Sequence, residues 1–164
     1  MKTSLATLMA DIAVPTSTPY ANTRYDWDFQ LVVKASCVGP MSEWTDNELA
    51  KIGSADELEI TSFRNDGTTR AYTTIWVVRV GNELYVRSWH GRAAAWFRRA
   101  LQRHAGRIRA GGVERAVILE EPDDSVRGAI DKAYLTKYGR YGNTYVQPMI
   151  DAEAAEATFR LLPS

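Results

Sequence analysis

At 164 residues and 45% apolar content, the chain is long enough for one domain with a buried core and too short for two. Its 20 basic and 20 acidic side chains cancel, which argues against a protein recruited to nucleic acid by bulk charge. The distribution is uneven, because residues 1–60 carry 4 basic and 9 acidic side chains and the remainder is net basic.

The opening MKTSLATLMADIAV is interrupted by Asp11 and several hydroxyl residues, so it reads poorly as an export signal. No stretch approaches the roughly 20 apolar residues of a membrane span. The single cysteine, Cys37, rules out an internal disulfide, a CxxC pair and a thiolate zinc cluster. A reducing, cytoplasmic setting is expected. Residues 1–43, rich in Pro, Thr, Ser and Ala, read as an N-terminal extension with one strand-like segment at Phe29–Val33. Residues 44–164 read as the folded domain.

Thr45-Asp46-Asn47-Glu48 is a capping-box pattern and predicts a short helix to about Ala55. β-Branched and aromatic residues predict strands over Leu58–Phe63, Thr69–Val80 and Glu83–Ser88, the last two joined by a Gly81-Asn82 hairpin turn. Ala93, Trp96, Phe97, Ala100, Leu101 and His104 recur at helical spacing. Gly111-Gly112 joins strands at Arg107–Ala110 and Val113–Glu120. A helix over Asp124–Tyr138, stopped by Gly139, precedes a last strand at Thr158–Leu162. This order predicts an α+β fold, a small mainly antiparallel split β-barrel with about three flanking helices.

The stretch Arg87 to Ala100 is the most informative. A strand leading into a helix through Trp89-His90-Gly91-Arg92 offers free amides and a helix dipole to an anion, with Gly91 permitting close backbone approach. Ser88 adds a hydroxyl, Arg87 and Arg92 add forked donors, and His90 can donate as well; the alternative is that these arginines face solvent or pair with acids of the N-terminal part. Arg64 and Arg70 flank an Asp66-Gly67 turn and would extend a basic rim, or else are ordinary turn-flanking charges. Eight arginines against one acid lie between Arg87 and Arg115, but strand and helix alternation scatters them, which disfavours nucleic acid as partner. With two histidines and no HExxH, GxSxG or metal-binding pattern, any chemistry is expected to reside in an organic cofactor, with no metal.

The runs RNDGTTRAYTTIWVVRVGNELYVRSWHGRAAAWFRRA, RIRAGGVERAVILEE and AYLTKYGRY resemble a bacterial family of unknown function, over about Trp44 to Pro163. That family is similar to the deazaflavin-dependent nitroreductases and flavin-binding split barrels. The resemblance implies that Thr73, Thr74 and Trp76 line a flat-ring pocket, and that Ser88, Gly91, Arg92 and Trp96 approach a cofactor phosphate. It implies FMN or a deazaflavin coenzyme as cofactor and a reductase acting on a small organic molecule. The rival reading is a cofactor-free barrel whose aromatic cavity, with Trp76, Tyr85 and Trp89, binds or isomerises a hydrophobic metabolite. A small-molecule ligand is the expected partner, with a homodimer as a further option.

Overall fold

The computed structural model describes residues 43–164. The expected strand at Phe29–Val33, with most of the N-terminal extension, lies outside the described residues. The first element, α1 (Asp46–Ser54), begins where the capping pattern places it. The Thr45 hydroxyl accepts from the Glu48 amide at 3.3 Å, and the Glu48 carboxylate accepts from the Thr45 amide at 3.0 Å. The other Glu48 oxygen accepts from Arg115 at 2.8 Å, which ties the helix start to the sheet.

These contacts make a pH prediction. The hydrogen bond from the Thr45 amide, followed by the Thr45 hydroxyl and Arg115, holds the Glu48 carboxyl below the usual carboxylate range despite partial desolvation. A carboxyl lowered on folding stabilises the protein above its unfolded value of about 4.3, and that contribution disappears as pH falls through the lower folded value. Urea unfolding between about pH 6 and about pH 3 should therefore show a steeper loss for the native chain than for Glu48→Gln. Parallel pH curves would remove Glu48 from the account.

The strands are β1 (Leu58–Ser62), β2 (Thr73–Ile75), β3 (Val77–Val80), β4 (Glu83–Arg87), β5 (Ala105–Ala110), β6 (Val113–Glu120) and β7 (Thr158–Pro163). All pairings are antiparallel, in the order β2-β1-β5-β6-β7-β4-β3. The two outermost strands are consecutive in sequence and separated only by Trp76, so the sheet curls until its edges meet and nearly closes. The single strand expected over Thr69–Val80 is thus two strands serving opposite edges, preceded by an isolated bridge between Phe63 and Thr69.

Alternation along each strand sends side chains to two cores. Inside the barrel, Leu58, Ile60, Val77, Leu84, Val86, Ile108, Leu119, Phe159 and Leu161 are all at most 2% exposed. Outside it, Val78 and Tyr85 pack with Ile130, Tyr134 and Tyr138 from α3 (Arg127–Tyr138) and with Val146 and Met149 from α4 (Asn143–Ile150). The helix α2 (Ala95–Arg103) buries Phe97 and Ala100 against the inner core.

Five helices are present among the described residues, two of them beyond the three expected: α4 and the short α5 (Ala152–Ala155). His104, expected on the apolar face of α2, instead caps it in the left-handed conformation at φ 51°, with Nδ1 3.3 Å from the Leu119 carbonyl. α3 ends at Tyr138 with Gly139 as its C-cap, as expected, but Gly139 keeps a helical φ of −55°, a 3-10 turn over Gly139–Tyr141 follows, and the chain turns at Gly142, φ 93°. No helix among the described residues is long and apolar enough to cross a membrane.

The Gly111-Gly112 hairpin has both glycines at positive φ, 57° and 79°. A Cβ on Gly111 would lie 2.2 Å from the Lys51 carbonyl of α1, so the hairpin tip fits under the helix only because that atom is missing. Gly111→Ala is expected to cost at least about 2 kcal/mol, from unfavourable φ and the backbone clash together. Gly112→Ala, with the same kind of φ but open space around it, should cost less. Equal losses in urea unfolding would contradict the close approach.

Candidate functional site

A cleft of about 360 Å³ opens over the seam where β2 passes to β3. Thr73, Thr74, Ile75 and Trp76 form one wall, Arg87, Ser88, Trp89 and His90 a second, and Trp96 of α2 with Tyr145 and Met149 of α4 complete the lining. Trp76 is fixed from behind by Tyr138, whose ring lies parallel at 4.1 Å. Trp96 meets Phe97 and Phe159 edge-on at 5.6 and 6.4 Å. At the mouth, Trp89 and Tyr145 are 52% and 54% exposed, and Trp89 lies parallel to His90 at 5.9 Å.

Arg87 is the unusual residue. It ends β4, where Val86 enters the barrel, and its own side chain is directed to the helical layer and is fully buried. Its Nε donates to the Thr158 hydroxyl at 3.0 Å, and its Nη1 donates to Asp131 of α3 at 2.6 Å and to the Met149 carbonyl at 2.8 Å. The guanidinium also stands over the Tyr134 ring at 5.4 Å, a phenol whose pKa burial pushes strongly up. The remaining Nη2 and the neighbouring Ser88 hydroxyl are buried with no hydrogen-bond partner among the described residues. A buried polar group left unpaired costs about 1–3 kcal/mol, so two of them beside one cleft point to a polar ligand or ordered water there.

A larger cleft of about 530 Å³ touches the other side of Arg87, between the β6–α3 loop and the start of β7. Much of its charged lining is already engaged: Arg92 pairs with Glu121, Arg127 lies 3.7 Å from Asp124, and Asp123 accepts from the Ser125 amide at 2.8 Å. The two clefts share Arg87, but only the smaller one is lined by Ser88, whose hydroxyl is unpaired, and by aromatic walls, and it is therefore the better candidate site.

Of the residues singled out from sequence, Thr73, Thr74, Trp76, Arg87, Ser88, Trp89, His90 and Trp96 line this cleft together. Four others do not. Arg92 turns into the larger cleft, held by Glu121 and by the Glu156 carbonyl at 3.0 Å. Gly91, at φ 57°, is approached by Glu153, whose Cγ would stand 2.6 Å from a Cβ there, so the turn's glycine admits the chain's own α5. Arg64 braces its own loop through the Thr68 hydroxyl at 3.1 Å and the Thr69 carbonyl at 2.7 Å. Arg70 lines a narrow crevice beside Thr73 and Trp96, outside the main cleft. Tyr145, Met149 and Asp131 were not foreseen, although Tyr145 and Met149 stand four residues apart as neighbours on a helix face do. No group of three His, Cys, Asp or Glu residues suited to a metal ion occurs among the described residues.

An antiparallel barrel split at a one-residue seam, with a cleft above that seam, defines a small split-barrel protein. The chain belongs to the bacterial family described as "Uncharacterized protein conserved in bacteria (DUF2255)", which matches residues 48–161. No curated protein matches it. Among solved structures, one described as an F420 reductase is 17% identical, covers 74% of this chain and 96% of its own, and superposes with a TM-score of 0.51. The heme storage protein HutZ from Vibrio cholerae is 12% identical over 73% of this chain and 89% of its own, TM-score 0.49. An FAD-binding protein from Mesorhizobium loti is 17% identical over 77% of this chain and 94% of its own, TM-score 0.45. At these identities the likeness is one of fold.

Proposed function

We propose that the seam cleft binds the planar ring of a flavin-type cofactor, FMN or a deazaflavin coenzyme, for a redox step on a small organic molecule. The observation that carries this reading is the pair of buried, unpaired donors, Arg87 Nη2 and Ser88 Oγ, beside a cleft walled by Trp76 and Trp96. A flavin-type ring or its phosphate has the acceptor atoms those donors lack, and its flat faces suit indole walls. The fold shared with a protein described as an F420 reductase supports the same reading.

When bound, such a ring supplies hydride transfer, chemistry the side chains here do not offer. The chain's part is to orient and to exclude water. Trp76, backed by Tyr138, provides a stacking face; Ile75 and Met149 are apolar; Asp131 keeps the Arg87 guanidinium aimed. His90 at the mouth is placed to meet a substrate entering from solvent.

The test is a titration of the purified protein with FMN and with riboflavin, read by flavin fluorescence. Saturable quenching is expected. Ser88→Ala should weaken the binding by about 1 kcal/mol, or about fivefold, as one hydrogen bond is lost. An affinity indifferent to both Ser88→Ala and Trp76→Ala would remove the cleft as the binding site. Turnover of a candidate substrate without any redox cofactor would instead favour an apolar metabolite held against Trp89 and Tyr145.

A further inference from the structure

Trp76 lines the cleft and belongs to an aromatic stack that reaches the surface. Behind it lies Tyr138, parallel within 2° at 4.1 Å, and Tyr141 stacks on both, 5.9 Å from Trp76 and 6.2 Å from Tyr138. Tyr138 is fully buried, whereas Tyr141 is 45% exposed. The two phenols differ in what their hydroxyls meet. The Tyr138 hydroxyl faces only backbone: the Asp56 carbonyl at 2.7 Å, the Val77 carbonyl at 2.9 Å and the Val77 amide at 3.1 Å. The Tyr141 hydroxyl donates to the Asp56 carboxylate at 3.3 Å and accepts from Arg140 at 3.2 Å; Arg140 also pairs with Asp56.

A phenol gives up an electron readily only when its proton can leave at the same time. Carbonyls are poor proton acceptors and a carboxylate is a good one. The Lys137 ammonium 5.0 Å from the Tyr138 ring further penalises a positive charge there. Arg140, 4.9 Å from the Tyr141 ring, carries no such penalty for a phenol that ends neutral after losing its proton. Tyr138 is thus a rigid backing ring, and Tyr141, 5.9 Å from Trp76, is the terminus.

We infer that Trp76 and Tyr141, packed together against Tyr138, form a one-electron conduit between the cleft and solvent, with the Asp56 carboxylate as the proton acceptor at its outer end. The inference rests on the ring-binding reading for its oxidant, a photoexcited flavin-type ring in the cleft. With such a ring bound and excited, the Trp76 indole would give up one electron to it. The indole radical cation is refilled by one electron from Tyr141, and the phenol proton passes to Asp56 Oδ2. Tyr141 would then be left as a neutral phenoxyl radical at the surface, the transferred electron residing on the oxidant, and a soluble thiol can restore it by giving up one hydrogen atom.

The test needs no flavin, so its failure is separable from failure of the ring-binding reading, which the FMN titration decides. Azide radicals generated by pulse radiolysis oxidise indoles in preference to phenols. Transient absorption then follows the indolyl signal as it converts into a phenoxyl signal. In the native protein part of this conversion should be first-order and independent of protein concentration. That phase should be lost in Trp76→Phe and slowed at least about tenfold in Tyr141→Phe and in Asp56→Asn. Tyr141 is exposed, so its conservative variant keeps the fold, which circular dichroism verifies. An unchanged conversion phase in Trp76→Phe and Tyr141→Phe overturns the conduit and leaves the stack as a packing feature alone.

Discussion

Replacing Arg87 with methionine is expected to destabilise the protein by about 3 kcal/mol and to abolish ligand binding in the seam cleft. The side chain is fully buried, and its loss strands three acceptors at once: the Asp131 carboxylate, the Met149 carbonyl and the Thr158 hydroxyl. Losing one partner of a buried ion pair costs about 3–5 kcal/mol, and the lower end applies because Asp131 is 32% exposed and regains some hydration. Methionine fills much of the volume, so the loss reports the charge and its hydrogen bonds more than a cavity. Combining Arg87→Met with Asp131→Leu should recover a large part of the stability, since no carboxylate is then left facing an apolar site. Recovery of stability without recovery of binding would separate the structural share of Arg87 from its share in holding a ligand. A loss below about 1 kcal/mol in urea unfolding would mean that the guanidinium is not the organising charge of this layer.

Phe97→Ala is expected to cost as much or more, about 3–5 kcal/mol. Phe97 is 0% exposed, stacks on Phe159 at 4.3 Å and 22°, meets Trp96 edge-on and lies under the Arg92 guanidinium at 5.6 Å. It is the main contact by which α2 grips the inner core, so truncation leaves a cavity that a nine-residue helix cannot collapse into without moving. Trp96 would move with it. The variant should therefore show weakened FMN binding under conditions where it is still folded, whereas Leu101→Ala, on the partly buried side of the same helix, should lose less of both. A loss well under 1 kcal/mol for Phe97→Ala would contradict the placement of α2 on the barrel.

The elements that could be read from sequence are those whose cause is local. The capping box at Thr45 and Glu48 and the Gly111-Gly112 hairpin are each specified within a few residues, and both occur where expected. The division of Thr69–Val80 was hidden because its β-branched run is continuous. What breaks it is closure of the sheet, which takes Thr73–Ile75 to β1 and Val77–Val80 to β4. α4 was hidden by Pro148 within it and by the glycine that starts it. Most of the cleft lining lies in two short stretches, residues 73–76, to which the family resemblance pointed, and residues 87–90, which the strand-to-helix turn singled out. The direction taken by each arginine was not. Arg87 is buried because Asp131, Met149 and Thr158 come to it from 44 to 71 residues away, and Arg92 is drawn off by Glu121, 29 residues on. Sequence spacing says nothing of such distant partners.

Arg87 and Ser88 hold unpaired donors beside the seam cleft, for which a flavin-type ligand is the proposed partner. The most direct measurement is mass spectrometry of the small molecules released on denaturing protein purified from its own host. A phosphorylated flavin or deazaflavin, released by the native protein and missing from folded Arg87→Met, is the predicted result. An apolar metabolite without such a ring, released equally by both proteins, would contradict it.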